Sequence, residues 1–301
     1  MKASIITPVV TILDGHGKPD YESNKRVIDF LIQNHVDGIL VLGSAGEFTE
    51  FSLAEKRAFL EFYSGYVQGR TELYAGTGST SYQDTLELSN AVYGMGYRAP
   101  LVIPPYYYGM RQDQLFTYFD TLAKHLDGEL YVYNYPERSG ISISGETLGR
   151  LIRENPNLTG MKDTSVDPGH TNQMCRVSEG TGFRVFSGYD DQFLYNLAAG
   201  GAGVIGALSN VAPDLWSDLV QAARDEDFQR VMALMQLVDR LAQIYTLGVN
   251  TAYLIKTLLP CRGVEISTKA AFPFEEESAA VAQAKKVLQE VLTEYQQLKR
   301  S

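Results

Sequence analysis

Lys162 stands where a short apolar run, Leu158-Thr159-Gly160-Met161, turns polar at Lys162-Asp163-Thr164. A run of that kind reads as a strand, and a lysine held at its end among apolar neighbours is a candidate for a lowered pKa. A lysine that is neutral part of the time can attack a ketone and form a Schiff base. The alternative is a structural lysine in a salt bridge with Asp163 or Glu47. Other chemically able residues fall at comparable points. Gly43-Ser44-Ala45-Gly46-Glu47 can offer backbone N–H groups and a hydroxyl to an anion, or be a plain glycine-rich turn. Pro105-Tyr106-Tyr107-Tyr108-Gly109 carries three successive tyrosines, which cannot all enter one core and otherwise read as interface packing. Tyr133-Asn134-Tyr135-Pro136-Glu137-Arg138 puts a phenol at a strand end and a guanidinium on the loop after it. Gly188-Tyr189-Asp190-Asp191 follows one later apolar run, and Gly203-Val204-Ile205 forms another. A nucleophilic amine, a proton-shuttling phenol and donors for a carboxylate together suit chemistry at a keto acid.

These residues share a mouth only if the strands that carry them are parallel and adjacent. Short apolar runs alternate with amphipathic segments about eight times between Ser4 and Arg224. The runs begin at Ser4, Gly38, Leu73, Ala99, Leu130, Leu158, Arg184 and Gly203. Runs buried on both faces, each followed by a helix, imply a parallel sheet. Ser52 with Glu55 reads as a capping box, and Ser144 as an N-cap. The pattern predicts an α/β chain with a (β/α)8 TIM barrel over 1–225 and a C-terminal helical extension over 226–301. The extension's helices are expected at 227–245, 250–259 and 275–298. A doubly wound sheet is the alternative, but the first strand lacks the glycine-rich phosphate turn such a sheet would favour. In a (β/α)8 barrel the C-terminal strand ends form the active site, which is where the residues above fall.

The balance of 45% hydrophobic and 21% charged residues suits a globular chain. A formal charge of −10 argues against nucleic-acid partners and against an anionic membrane surface. Two cysteines without paired spacing and four scattered histidines suggest a reducing compartment, no disulfide framework and no metal site. The N-terminal stretch has no signal-like apolar region and no run is long enough for a membrane span, so a cytoplasmic location is expected.

With these motifs in this order the sequence resembles the dihydrodipicolinate synthase / N-acetylneuraminate lyase family of class I Schiff-base aldolases. The resemblance rests on Gly43–Glu47, Pro105-Tyr106-Tyr107, Tyr133-Asn134 with Pro136 and Gly140, Gly160-Met161-Lys162-Asp163 and Gly203-Val204-Ile205. It implies that Lys162 forms an imine with pyruvate or another 2-keto acid and that Tyr133 transfers protons. Ser44 is implied to link Tyr133 to Tyr107, the latter inserted from a neighbouring subunit of a homotetramer built as a dimer of dimers. Ala45, Gly46, Arg138, Gly188 and Ile205 are implied to line the substrate site, with Ser44, Ala45 and their N–H groups holding the pyruvate carboxylate. No cofactor or metal is expected, because the lysine imine is itself the electron sink. For the second substrate the expectation is condensation of pyruvate with aspartate semialdehyde, with a 2-keto-3-deoxy sugar acid aldolase or dehydratase as the alternative. Arg138 matches the arginine that binds aspartate semialdehyde in the synthases, which favours 4-hydroxy-tetrahydrodipicolinate synthesis. Ala45, where synthases usually carry a threonine, and Phe48 look more like a 2-keto-3-deoxy sugar acid aldolase or dehydratase. Phe48, Leu53 and Lys56 stand where lysine-inhibited members have polar residues or histidine, so no inhibition by lysine is expected.

Overall fold

The computed structural model describes residues 3–271 and 279–300 of the chain. Its strands are β1 (Ser4–Pro8), β2 (Gly38–Val41), β3 (Glu72–Gly76), β4 (Ala99–Val102), β5 (Leu130–Asn134), β6 (Leu158–Asp163), β7 (Arg184–Ser187) and β8 (Gly203–Val204). They follow one another in chain order in a closed barrel. The pairing of β1 with β2 is parallel, as are the successive pairings from β3 with β4 to β7 with β8. The expected (β/α)8 architecture is therefore present.

The intervening helices are α1 (Tyr21–Gln33), α2 (Leu53–Val67), α3 (Tyr82–Gly94), α4 (Gln112–Lys124), α5 (Pro136–Ser139), α6 (Gly145–Glu154), α7 (Pro168–Val177), α8 (Phe193–Ala198) and α9 (Pro213–Arg224). After them come α10 (Phe228–Ala242), α11 (Thr251–Leu258) and α12 (Ala279–Leu298). Local chemistry fixes several starts. Ser52 accepts from the Glu55 N–H while Glu55 returns the bond, closing the capping box ahead of α2. Ser144 accepts from the Thr147 N–H and caps α6. The turn Pro136–Ser139, read as loop from sequence, coils into the single turn α5, with Pro136 at its first position and Gly140 in the left-handed conformation ending it. The expected start of the last helix at Glu275 lies outside the described residues, and its 279–298 portion is helical.

Contacts divide the chain into two compact units, Ala3–Phe51 with Gly206–Ser301 and Ser52–Ile205. The helices after residue 225 thus belong with β1 and β2. In that unit Ser209 donates to Thr7 and Asn210 to the Pro8 carbonyl, tying the turn before α9 to the end of β1. Arg262 reaches the Val211 carbonyl and Asp214, while Tyr295 of α12 donates to Asp218. In the other unit Val102, Val132 and Met161 pack against Leu115, Phe119, Leu148 and Met174 from α4, α6 and α7. Fully burying one such side chain contributes roughly 1.5–3 kcal/mol, so this layer fixes β4 to β6 firmly beneath the residues of interest.

Candidate active site

The strand register decides what faces what. Tyr133 on β5 pairs with Lys162 on β6, and Asn134 pairs with Asp163. Side chains alternate along a strand, so Tyr133 and Lys162 share one face and Asn134 and Asp163 the other. The first face also carries Tyr131, register partner of Gly160. A Cβ at Gly160 would come within 2.2 Å of the Tyr131 ring, so glycine here is what leaves room for that ring.

Lys162 is buried, with 6% of its surface exposed, and its Nζ lies 4.7 Å from the Tyr133 ring centroid. Burial strips water from the ammonium and pushes the pKa down to about 8, against the opposing pull of Tyr135 and Asp190. A Cβ at Gly188, just past β7, would meet Thr164 Oγ1 at 1.8 Å and Lys162 Cε at 3.0 Å. Glycine is thus the residue that leaves the lysine stem its channel. Thr164 sits beside the Tyr133 phenol, with its Oγ1 3.5 Å from the ring oxygen, at the outer limit of a hydrogen bond. The Tyr133 and Tyr135 rings lie 5.7 Å apart, and the Arg138 guanidinium is 5.9 Å from the Tyr135 ring centroid. Arg138 is exposed, and beside it Glu137 accepts from the Tyr189 hydroxyl at 3.3 Å.

The opposite face of β6 holds its own network. Asp163 is fully buried and accepts from Asn134 Nδ2 at 2.7 Å, Thr171 Oγ1 at 2.6 Å and the His170 ring at 2.9 Å. The other His170 nitrogen lies 2.8 Å from the Ile143 carbonyl. Acceptors at both nitrogens favour the protonated ring. Burial opposes that charge, but the Asp163 carboxylate outweighs it and the His170 pKa is raised. Asn134 also accepts from the Ile143 N–H at 2.9 Å, so β5, β6, α7 and the start of α6 are tied together behind Lys162.

The loop after β2 is shaped by two non-glycine residues in the left-handed region, Leu42 at φ 57° and Glu47 at φ 55°. Such a conformation costs an ordinary residue roughly 1–2 kcal/mol and persists only where surroundings impose it. Between them Ser44–Gly46 forms a tight turn, with Ser44 exposed and Ala45 and Gly46 buried. The Gly46 carbonyl accepts from Thr11 Oγ1 at 2.9 Å. Glu47 is buried, pairs with the fully buried Lys256 of α11, and accepts from the Ala271 N–H at 2.8 Å.

Of the site residues expected from sequence, Lys162, Tyr133 and Gly188 come together in one cluster, with Arg138 beside Tyr135. The Ile205 N–H donates to the Ser187 carbonyl at 2.9 Å, continuing the strand pairing past β8. Tyr107 is 78% exposed, its ring edge-on to Tyr108 at 5.0 Å. Both carboxylates weighed as salt-bridge partners for Lys162 are engaged elsewhere, Asp163 by Asn134, His170 and Thr171 and Glu47 by Lys256. Thr164, His170 and Lys256 were not singled out from sequence. Lys256 carried a signal, being a lone charge in the apolar run Ala252-Tyr253-Leu254-Ile255-Lys256-Thr257-Leu258 that needs a buried counter-ion. Among the described residues no His, Cys, Asp and Glu group is placed to hold a metal ion, and no helix is long and apolar enough to cross a membrane.

The geometry can be set beside known proteins. The model of the dihydrodipicolinate synthetase family matches residues 1–292. Escherichia coli K12 YjhH, a probable 2-dehydro-3-deoxy-D-pentonate aldolase, is 32% identical, with 92% of each chain covered. The 4-hydroxy-tetrahydrodipicolinate synthase of Hydrogenobaculum sp. is 32% identical over 98% of this chain and 99% of its own. The crystal structure of E. coli K12 YagE in complex with pyruvate superposes with a TM-score of 0.92 at 31% identity, covering 96% of this chain and 98% of that one. The chain belongs to the dihydrodipicolinate synthetase family and is a class I aldolase-type lyase.

Proposed function

We propose that this enzyme cleaves a 2-keto-3-deoxy sugar acid by a lysine imine, releasing pyruvate and an aldehyde. The observation that carries the chemistry is the buried Lys162, its pKa lowered to about 8, against the Tyr133 ring. At neutral pH a useful fraction of that amine is unprotonated and nucleophilic. Lys162 Nζ attacks the C2 ketone, the carbinolamine loses water, and the resulting iminium draws electrons toward C2. Tyr133 takes the C4 hydroxyl proton as the C3–C4 bond breaks, the aldehyde leaves, and the electron pair becomes an enamine. Protonation at C3 and hydrolysis of the imine return Lys162 and free pyruvate. Ser44, Ala45 and Gly46 take the keto-acid carboxylate, as the family resemblance implies, and Ile205 and Gly188 border the pyruvyl group. Tyr107 acts from a neighbouring copy and is joined to Tyr133 by Ser44. Its exposed ring favours a multimer, a dimer of dimers by the same resemblance.

The choice of a sugar acid is supported by YjhH and by YagE, a relative 32% identical that is also named for a 2-dehydro-3-deoxy sugar acid, together with Ala45 and Phe48 in this chain. The second reading is condensation of pyruvate with aspartate semialdehyde. It is favoured by the exposed Arg138, whose guanidinium is of the type that forks onto a carboxylate, and by the relatives that are 4-hydroxy-tetrahydrodipicolinate synthases. A side-by-side assay separates them: pyruvate release from a panel of 2-keto-3-deoxy sugar acids against pyruvate consumption with aspartate semialdehyde. Turnover of a sugar acid with negligible condensation is expected. Efficient condensation that is lost in Arg138→Ala, with no sugar acid cleaved, would replace the first reading by the second.

A further inference from the structure

We infer that Glu47 and Lys256 are positioning residues for the substrate-carboxylate loop, so that the C-terminal helical segment sets the affinity for the keto acid. The inference rests on the proposed imine chemistry and on the carboxylate role of Ser44–Gly46. A loop that offers N–H donors to a carboxylate must hold them in one geometry, and small displacements weaken binding steeply.

Within the turn only backbone hydrogen bonds contribute to that rigidity among the described contacts. Its internal bonds are the Gly46 N–H to the Gly43 carbonyl and the Glu47 N–H to the Ser44 carbonyl. Its ends are Leu42 and Glu47, both in a backbone region that side chains other than glycine avoid. The anchor comes from far along the chain. Glu47 gives one carboxylate oxygen to Lys256 and the other to the Ala271 N–H. Lys256, fully buried in α11, also donates to the Lys269 carbonyl at 2.9 Å. The segment around 269–271 and α11 therefore grip Glu47 from two directions, while Thr11 grips the adjacent Gly46 carbonyl. A buried ion pair is a poor way to gain stability, since desolvation offsets most of its attraction. Its value here lies in direction, because a fixed carboxylate fixes the residue that ends the loop. Glu47 itself touches no substrate. It acts through Ser44, Ala45 and Gly46.

The test uses the full-length protein and pyruvate as probe, reading borohydride-trapped adduct at Lys162 against pyruvate concentration. The variants are Glu47→Asp, which keeps the charge but shortens the reach, and the neutral double Glu47→Gln/Lys256→Met. Both are expected to retain a cooperative thermal transition and to reach one adduct per chain at saturating pyruvate. Half-saturating pyruvate is expected to rise about tenfold or more. Wild-type half-saturation in either folded variant would overturn the inference, and so would loss of the fold in both, which would make the pair a scaffold element. If the wild type itself is not trapped at Lys162, the imine reading fails first. A trapped wild type with unshifted variants defeats this inference alone.

Discussion

Lys162, Tyr133 and Gly188 are bound to each other by space as much as by chemistry. A Cβ at Gly188 would fall 1.8 Å from Thr164 Oγ1 and 3.0 Å from Lys162 Cε, so Gly188→Ala should destabilise by about 1–3 kcal/mol and push on both side chains. Thermal melts and pyruvate trapping on that variant would check both effects. Tyr133→Phe keeps the ring against Lys162 but removes the proton carrier. Turnover should fall by about 10²–10⁴-fold, while slow imine trapping survives. The lowered pKa of Lys162 has a sign that can be read in two ways. Below pH 8 the reactive amine falls about tenfold per unit, so the trapping rate should climb from pH 6 and level off above about 8. Between that value and the ordinary 10.5 the unfolded chain binds more protons than the folded one, so this group makes stability rise with pH there. A trapping rate flat from pH 6 to 9 would contradict the assignment. The placement of these three residues was legible in the sequence because lysine, phenol and glycine fall at strand ends. Thr164 was not, because nothing in its local pattern says that its side chain packs against Gly188.

At the scale of elements, β5 and β6 do the positioning, and their register is locked from behind. Asp163, His170, Asn134 and Ile143 join two strands and two helices, and the pair Asp163–His170 is half of that joint. The His170 pKa is raised above its ordinary 6.5, so its contribution is fully present below that value and is lost as pH rises through the folded pKa. The melting temperature should therefore decline with pH above about 6.5, and His170→Gln should flatten that part of the profile. An unchanged profile in the variant would show that the ring carries no charge in the fold. The strands, most helix spans and the caps at Ser52 and Ser144 could be read from apolar runs and start signals. The outward Asp163 network could not, because its partners come from α7 and from the turn before α6. Sequence periodicity reports which face is apolar, but not which distant polar groups meet across it.

For the whole molecule, the order of eight strand–helix units was legible because each unit repeats the same pattern. The grouping of the C-terminal helices with β1 and β2 was not, since it depends on long-range anchors such as Arg262 to Asp214 and Lys256 to Glu47. Assembly belongs to this scale. Tyr107 and Tyr108 expose 78% and 77% of their surfaces, and sedimentation velocity should find more than one chain per particle. Replacing both with serine should weaken that association and lower turnover together, whereas a fully active wild-type monomer would remove Tyr107 from the mechanism. Under the proposed function Lys162 carries the substrate as an imine. The most direct measurement of this is borohydride reduction in the presence of pyruvate, followed by peptide mapping. One reduced adduct per chain on the peptide containing Lys162, absent from Lys162→Met, is the predicted result. An unmodified wild-type chain, or an adduct on another lysine, would contradict it.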